Sequence, residues 1–161
     1  VTRPRWFNDH TLLAAVARHL YRQRRDTNRA LVEAGTLDSA KAETGTRVMR
    51  AIAAEWRALA AIEPEPAGLR DGDGQGAWAF ERVAALEAAS IVARTAADLA
   101  PTDPEVTGFA DAVDTLLWWE TAKPSARFLV DTTIALRAQA NARRALISAN
   151  AGQTSLFGVA A

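Results

Sequence analysis

The sequence contains no cysteine, which removes disulfide frameworks, thiolate zinc centres and cysteine nucleophiles together. Long apolar runs are also missing: no stretch approaches the roughly 20 residues needed to span a bilayer. The opening stretch, residues 1–10, lacks the apolar region of a secretory signal, so the expectation is a cytoplasmic protein without a membrane partner. Neither sign of charge dominates, because 19 basic residues face 19 acidic ones and no overall field steers the chain to a polyanion. Serine-hydrolase elbows, phosphate loops and dinucleotide fingerprints are absent. His10 and His19 stand nine residues apart, off the three- or four-residue spacing that would bring both to one metal, and neither has a Glu-x-x-His partner. The expectation is a non-enzymatic protein with no cofactor and no metal.

What is present favours helices. Of the 161 residues 49% are hydrophobic, mostly Ala and Leu, while aromatics reach only 7%, a mixture suited to closely packed helices in a single domain. Asn8 or Asp9 can cap a first helix carrying Leu13, Val16, Leu20, Thr27, Leu31 and Ala34 at helical spacing, stopped by Gly35. Asp38 can cap a second, with Val48, Met49, Ile52, Trp56, Leu59 and Ile62 as its stripe, ended by Pro64 and Pro66. Joined by a short turn, these two form an antiparallel hairpin over residues 9–63.

The Pro- and Gly-dense run 63–76 reads as the longest internal loop. A third, surface-lying amphipathic helix is expected over 77–99, with Phe80, Val83, Leu86 or Glu87, Ser90, Ile91 and Arg94 setting its face. Asp103-Pro104 starts a fourth, holding Val106, Phe109, Val113, Leu116, Leu117 and Trp119. Neighbouring Trp118 and Trp119 lie about 100° apart on that helix, so both cannot point inward. Pro124 begins a fifth helix, with Phe128, Val130, Ile134, Leu136, Ala142 and Leu146, running to about Ala149. The expected fold is thus an all-α five-helix bundle over 1–149 that begins with a long helical hairpin, followed by a flexible C-terminal tail over 150–161.

Charge is distributed unevenly. Residues 1–35 hold 7 basic and 3 acidic groups, residues 36–123 hold 8 and 15, and residues 124–161 hold 4 and 1. Basic ends and an acidic middle fit either complementarity between helices or a basic binding face. Arg18, Arg22, Arg25 and Arg29 recur at four, three and four residues, so they share one face of the first helix and can meet phosphates; Arg137, Arg143 and Arg144 extend that face only if the last helix lies beside the first. The alternative is a solvated stripe, or one paired with the acidic middle.

The tail reads Gln153-Thr154-Ser155-Leu156-Phe157. It resembles the pentapeptide with which many bacterial replication and repair proteins dock on the sliding clamp of DNA polymerase, whose pattern is Gln, any residue, Ser or Asp, Leu, Phe. The resemblance implies that Gln153 binds at the mouth of a pocket and that Leu156 and Phe157 fill an apolar cleft on the clamp, with Ser155 secondary. A competing reading has Leu156 and Phe157 folding back on the bundle. The runs Leu20–Arg25, Leu31–Leu37 and Val48–Ala53 resemble a helical hairpin of small bacteriophage and prophage proteins, which implies a mobile-element origin and transfers no active site. The loop from Asp71 resembles the first half of a calcium-binding EF-hand, with Asp71, Asp73 and Gln75 at alternate positions, Gly76 at the turn and Trp78 at the hydrophobic place. It departs where the twelfth residue, normally Glu, is Arg82, so an ordinary turn is expected.

The functional expectation is an interaction protein that docks on the replication clamp through its tail. Its rivals are a self-associating phage structural or assembly protein whose tail only packs, and a module that binds DNA through the arginine stripe.

Overall fold

The computed structural model describes the backbone of residues 3–122 and 125–156, and side chains within those spans as far as residue 148. Five helices appear in order, α1 (His10–Glu33), α2 (Ser39–Ala61), α3 (Ala79–Leu99), α4 (Pro104–Thr121) and α5 (Ala126–Leu156), with no strand among the described residues. This is the all-α five-helix architecture expected from the sequence.

Each start has its cap. Asp9 accepts a hydrogen bond from the Leu12 amide at 2.9 Å, Asp38 accepts from the amides of Ala40 and Lys41, and Asp103 accepts from those of Glu105 and Val106, with Pro104 in the first turn. At the start of α3 the Glu81 carboxylate reaches back to the Trp78 amide at 2.8 Å. Gly35, at φ 70°, turns the chain out of α1. Helix α2 ends on Ile62, which adopts the left-handed conformation at φ 56° while the Glu63 amide closes on the Ala58 carbonyl. A β-branched side chain rarely sits there, and Ile62 is held by packing against the core.

Helices α1 and α2 form one hairpin, α3 and α4 another, and the two meet through α1 on α4 and α2 on α3. Leu13, Ile52, Trp56, Leu86, Val113 and Leu116 are fully buried where they meet, each contributing about 1.5–3 kcal/mol by leaving water. At the far end of the first hairpin, buried Asn28 donates from Nδ2 to the Ala42 carbonyl at 2.9 Å and to Thr46 Oγ1 at 3.1 Å. The loop before α3 is tied down: Ala77 donates to the Leu69 carbonyl, and a Cβ on Gly76 would lie 2.1 Å from the Gly68 carbonyl oxygen. Asp71 accepts from the Asp73 amide, so in the EF-hand-like run its carboxylate closes a local turn.

Two expectations need correction, and one set of contacts had no signal in the sequence. Phe80 and Ile91, expected on the packing face of α3, are 72% and 68% exposed, and the buried residues of this helix are Arg82, Leu86, Ala93 and Ala97. Alanine is small enough to let α4 approach, so the helix packs on its small side and leaves large apolar groups outside. Trp6 and Phe7, which the sequence did not mark, cover α4: Trp6 Nε1 donates to the Gly108 carbonyl, and Phe7 stacks on Trp119 at 4.8 Å and meets half-buried Trp118 edge-on. Helix α5 continues past the end expected near Ala149 to Leu156, since no proline interrupts the alanine-rich run and the single Gly152 costs only about 1 kcal/mol in a helix.

Candidate functional site

Two regions can make contacts. The first is a groove between α1 and α2, lined by Arg18, Arg22 and Arg25 on one side, Arg50 and Arg57 on the other, with Tyr21 at its edge. Its floor is alanine from both helices, Ala14, Ala15, Ala53 and Ala54, and small floor residues let five guanidinium groups flank one shallow trough of 740 Å³. The ion pairs made by these arginines among the described residues are weak: Arg25 to its neighbour Asp26 at 2.9 Å, both half-exposed, and Arg57 to Glu63 at 3.9 Å. Arg50 donates to the side-chain oxygen of Gln75. The attraction of Arg25 and other nearby arginines lowers the Asp26 carboxyl below its ordinary range, led by the Arg25 hydrogen bond, so this acid stays ionised. Cationic charge remains in excess along the trough.

The sequence stripe is therefore partly reassigned. Arg18, Arg22 and Arg25 come together, whereas Arg29 turns toward the far end of the hairpin, among Glu33 and Glu43. Arg50 and Arg57 were missed, although their spacing of seven residues on the antiparallel partner helix was a readable signal. Arg137, Arg143 and Arg144 do not extend the groove walls, because α5 packs on α2 through its first turns and they stand beyond these.

The second region is α5 itself. Ala126, Arg127 and Val130 are buried and Ile134 is half-buried, but every residue from 135 to 148 is exposed. At about 1.5 Å per residue, that stretch and the turns following it form an arm roughly 30 Å long. Gln153, Ser155 and Leu156 lie in its last turns, with side chains outside the described residues; Phe157 lies outside them entirely.

A third cluster is interior. Arg82, 1% exposed, donates through Nη2 to Glu55 and to Glu120 at 2.5 Å, while Arg70 reaches Glu55 from the loop at 2.5 Å. Burial pushes the Glu55 carboxyl above its ordinary value, with Arg82 opposing and the charge of Glu120 adding to the rise. For Arg82, burial works against the charge but the two carboxylates outweigh it and hold it protonated. Two helical glutamates thus share one arginine and tie α2, α3 and α4 together. The adjoining cavity is only 40 Å³, room for little more than water, so the cluster reads as a structural clasp. His10 sits edge-on to Trp56 and Trp119 at 5.9 and 6.1 Å, and His19 packs on Phe109, so the two histidines serve separate contacts. No group of three or more acidic or histidine side chains could hold a metal among the described residues. None of their helices is long and apolar enough to cross a membrane.

No family model, curated protein or solved structure matches the chain. Its function has to be argued from the groove, the arm and the motif at the arm's end.

Proposed function

We infer that this chain is a non-enzymatic interaction protein, of phage or other mobile-element origin, that docks on the bacterial replication sliding clamp through Gln153, Ser155, Leu156 and Phe157. The observation supporting this reading is the position of the pentapeptide at the end of a helix whose residues 135–148 are all exposed. A peptide so displaced can enter a pocket on a large partner without the bundle colliding. It also gains most of its affinity from a few anchor side chains. Binding to immobilised clamp should weaken by more than about 30-fold, 2 kcal/mol or more, when Leu156→Ala and Phe157→Ala are combined. Equal binding by parent and double variant would remove the motif from the account.

A second activity on the same molecule is favoured by the five-arginine groove. Arg18 to Arg25 spans about 10 Å along α1, which matches about three phosphates of one DNA strand. Nucleic acid held there would be kept near the clamp that encircles it. Duplex binding should fall linearly on a log–log salt plot, and replacing Arg18, Arg22 and Arg25 by Ala should flatten the slope by about three. An unchanged slope would assign the groove to another role. The phage assembly reading predicts self-association with the clamp left unbound.

A further inference from the structure

The outer side of α3 carries a stripe without a partner. Phe80, Ala84, Glu87, Ile91, Thr95 and Asp98 recur at four, three, four, four and three residues and are all exposed, Phe80 and Ile91 by about 70%. The ion pairs of α3 among the described residues are made by Glu81, Arg82 and Arg94, so Glu87 and Asp98 take no part in them. The face is therefore apolar with two free carboxylates. The arm of α5 is its counterpart. Leu136, Ala140, Arg143 and Ile147 recur at four, three and four residues, Leu136 and Ile147 are both 60% exposed, and Arg137 and Arg144 flank them. After Asp131 the chain has no acidic residue at all. The arm is thus apolar and purely cationic. The separation of Leu136 and Ile147 along α5 equals that of Phe80 and Ile91 along α3, eleven positions in each.

We propose that the arm of one copy lies along the outer face of α3 in a second copy, and that the exchange is reciprocal, giving a two-fold dimer. Two alternatives within the same pair of surfaces are disfavoured by charge. Arm against arm sets three arginines against three, and α3 against α3 sets Glu87 and Asp98 against themselves, whereas arm against α3 joins opposite signs and covers apolar groups on both. Reciprocity closes the assembly and doubles a contact that, as a single helix pair, would fall short of the roughly 1,200 Å² of a stable interface. It also supplies the tertiary support that a solitary helix of this length lacks in water. The clamp-docking residues begin six positions beyond Ile147 and stay free in such a dimer, so this inference stands or falls independently of the clamp reading.

The test uses two full-length variants, Leu136→Glu with Ile147→Glu on the arm, and Phe80→Glu with Ile91→Glu on α3. All four positions are exposed, so thermal unfolding of each variant should stay within a few degrees of the parent's unless the dimer itself adds to it. Sedimentation equilibrium should give twice the chain mass for the parent and the single chain mass for each variant alone. Mixing the two variants restores one of the two arm–α3 contacts, so any one-to-one complex should be much weaker than the parent dimer. A monomeric parent overturns the proposal. An arm variant that still dimerises places the contact on α3 alone, and an α3 variant that still dimerises places it on the arm alone; each result overturns it.

Discussion

In the four-helix body, Trp56, Leu86 and Leu116 are at most 1% exposed and a clasp of charge closes among them, whereas along α5 from residue 135 to 148 every side chain meets solvent. Both regions draw on the same alanine-rich composition. The difference lies in phase: α1 and α2 turn their large apolar residues toward the bundle, whereas α5 turns Phe128, Leu136, Leu146 and Ile147 to the side away from buried Val130. A helix whose apolar stripe faces its own bundle is committed to it, while one whose stripe faces away has nothing to hold it down beyond the anchor at Ala126, Arg127 and Val130. The body consequently stores stability, and the arm stores contacts that only another molecule can complete.

This contrast breaks most sharply at Arg82. Replacing it with Met leaves Glu55 and Glu120 buried without their shared partner and should cost about 3–5 kcal/mol in urea unfolding. Adding Glu55→Gln and Glu120→Gln should recover much of that loss. A cost below about 1 kcal/mol for Arg82→Met would mean the clasp is solvated. Next in size is a matched pair of truncations. Leu86→Ala in the core should cost about 2–5 kcal/mol, and Leu146→Ala on the arm should lie within about 0.5 kcal/mol of the parent at concentrations where the chain is monomeric. Equal costs would place the arm inside the cooperative unit. The smallest effect belongs to His10. Burial lowers its pKa below the ordinary value of about 6.5, against a smaller upward pull from Asp9. A depressed folded pKa means that its contribution is complete above about pH 6.5 and is lost as the pH falls through the lowered value. The thermal midpoint should therefore decline on acidification below neutrality, and His10→Gln should shallow that decline.

Much of the body was legible in the sequence because its signals are local. Asp9, Asp38, Asp103 and Pro104 mark helix starts by a hydrogen bond or a fixed φ within four residues, and the stripe from Val48 to Leu59 needs only a period. What escaped was long-range. No local rule puts Arg82 between Glu55 and Glu120, 27 and 38 residues away, or brings Trp6 to Gly108. The phase of α3 was misread because large residues were weighted over alanine, and here Ala93 and Ala97 are the ones that pack. The arginine groove was half legible: α1 declared its stripe, while Arg50 and Arg57 joined it only once the hairpin was closed.

The division between a self-sufficient body and a contact-making arm is tested most directly by ending the chain at residue 134 and measuring unfolding and clamp binding on the same preparation. The account predicts that the shortened protein, below the concentration at which the parent dimerises, unfolds within a few degrees of the parent and that it no longer binds the clamp. A collapse of its stability, or clamp binding that survives the loss of the arm, would contradict it.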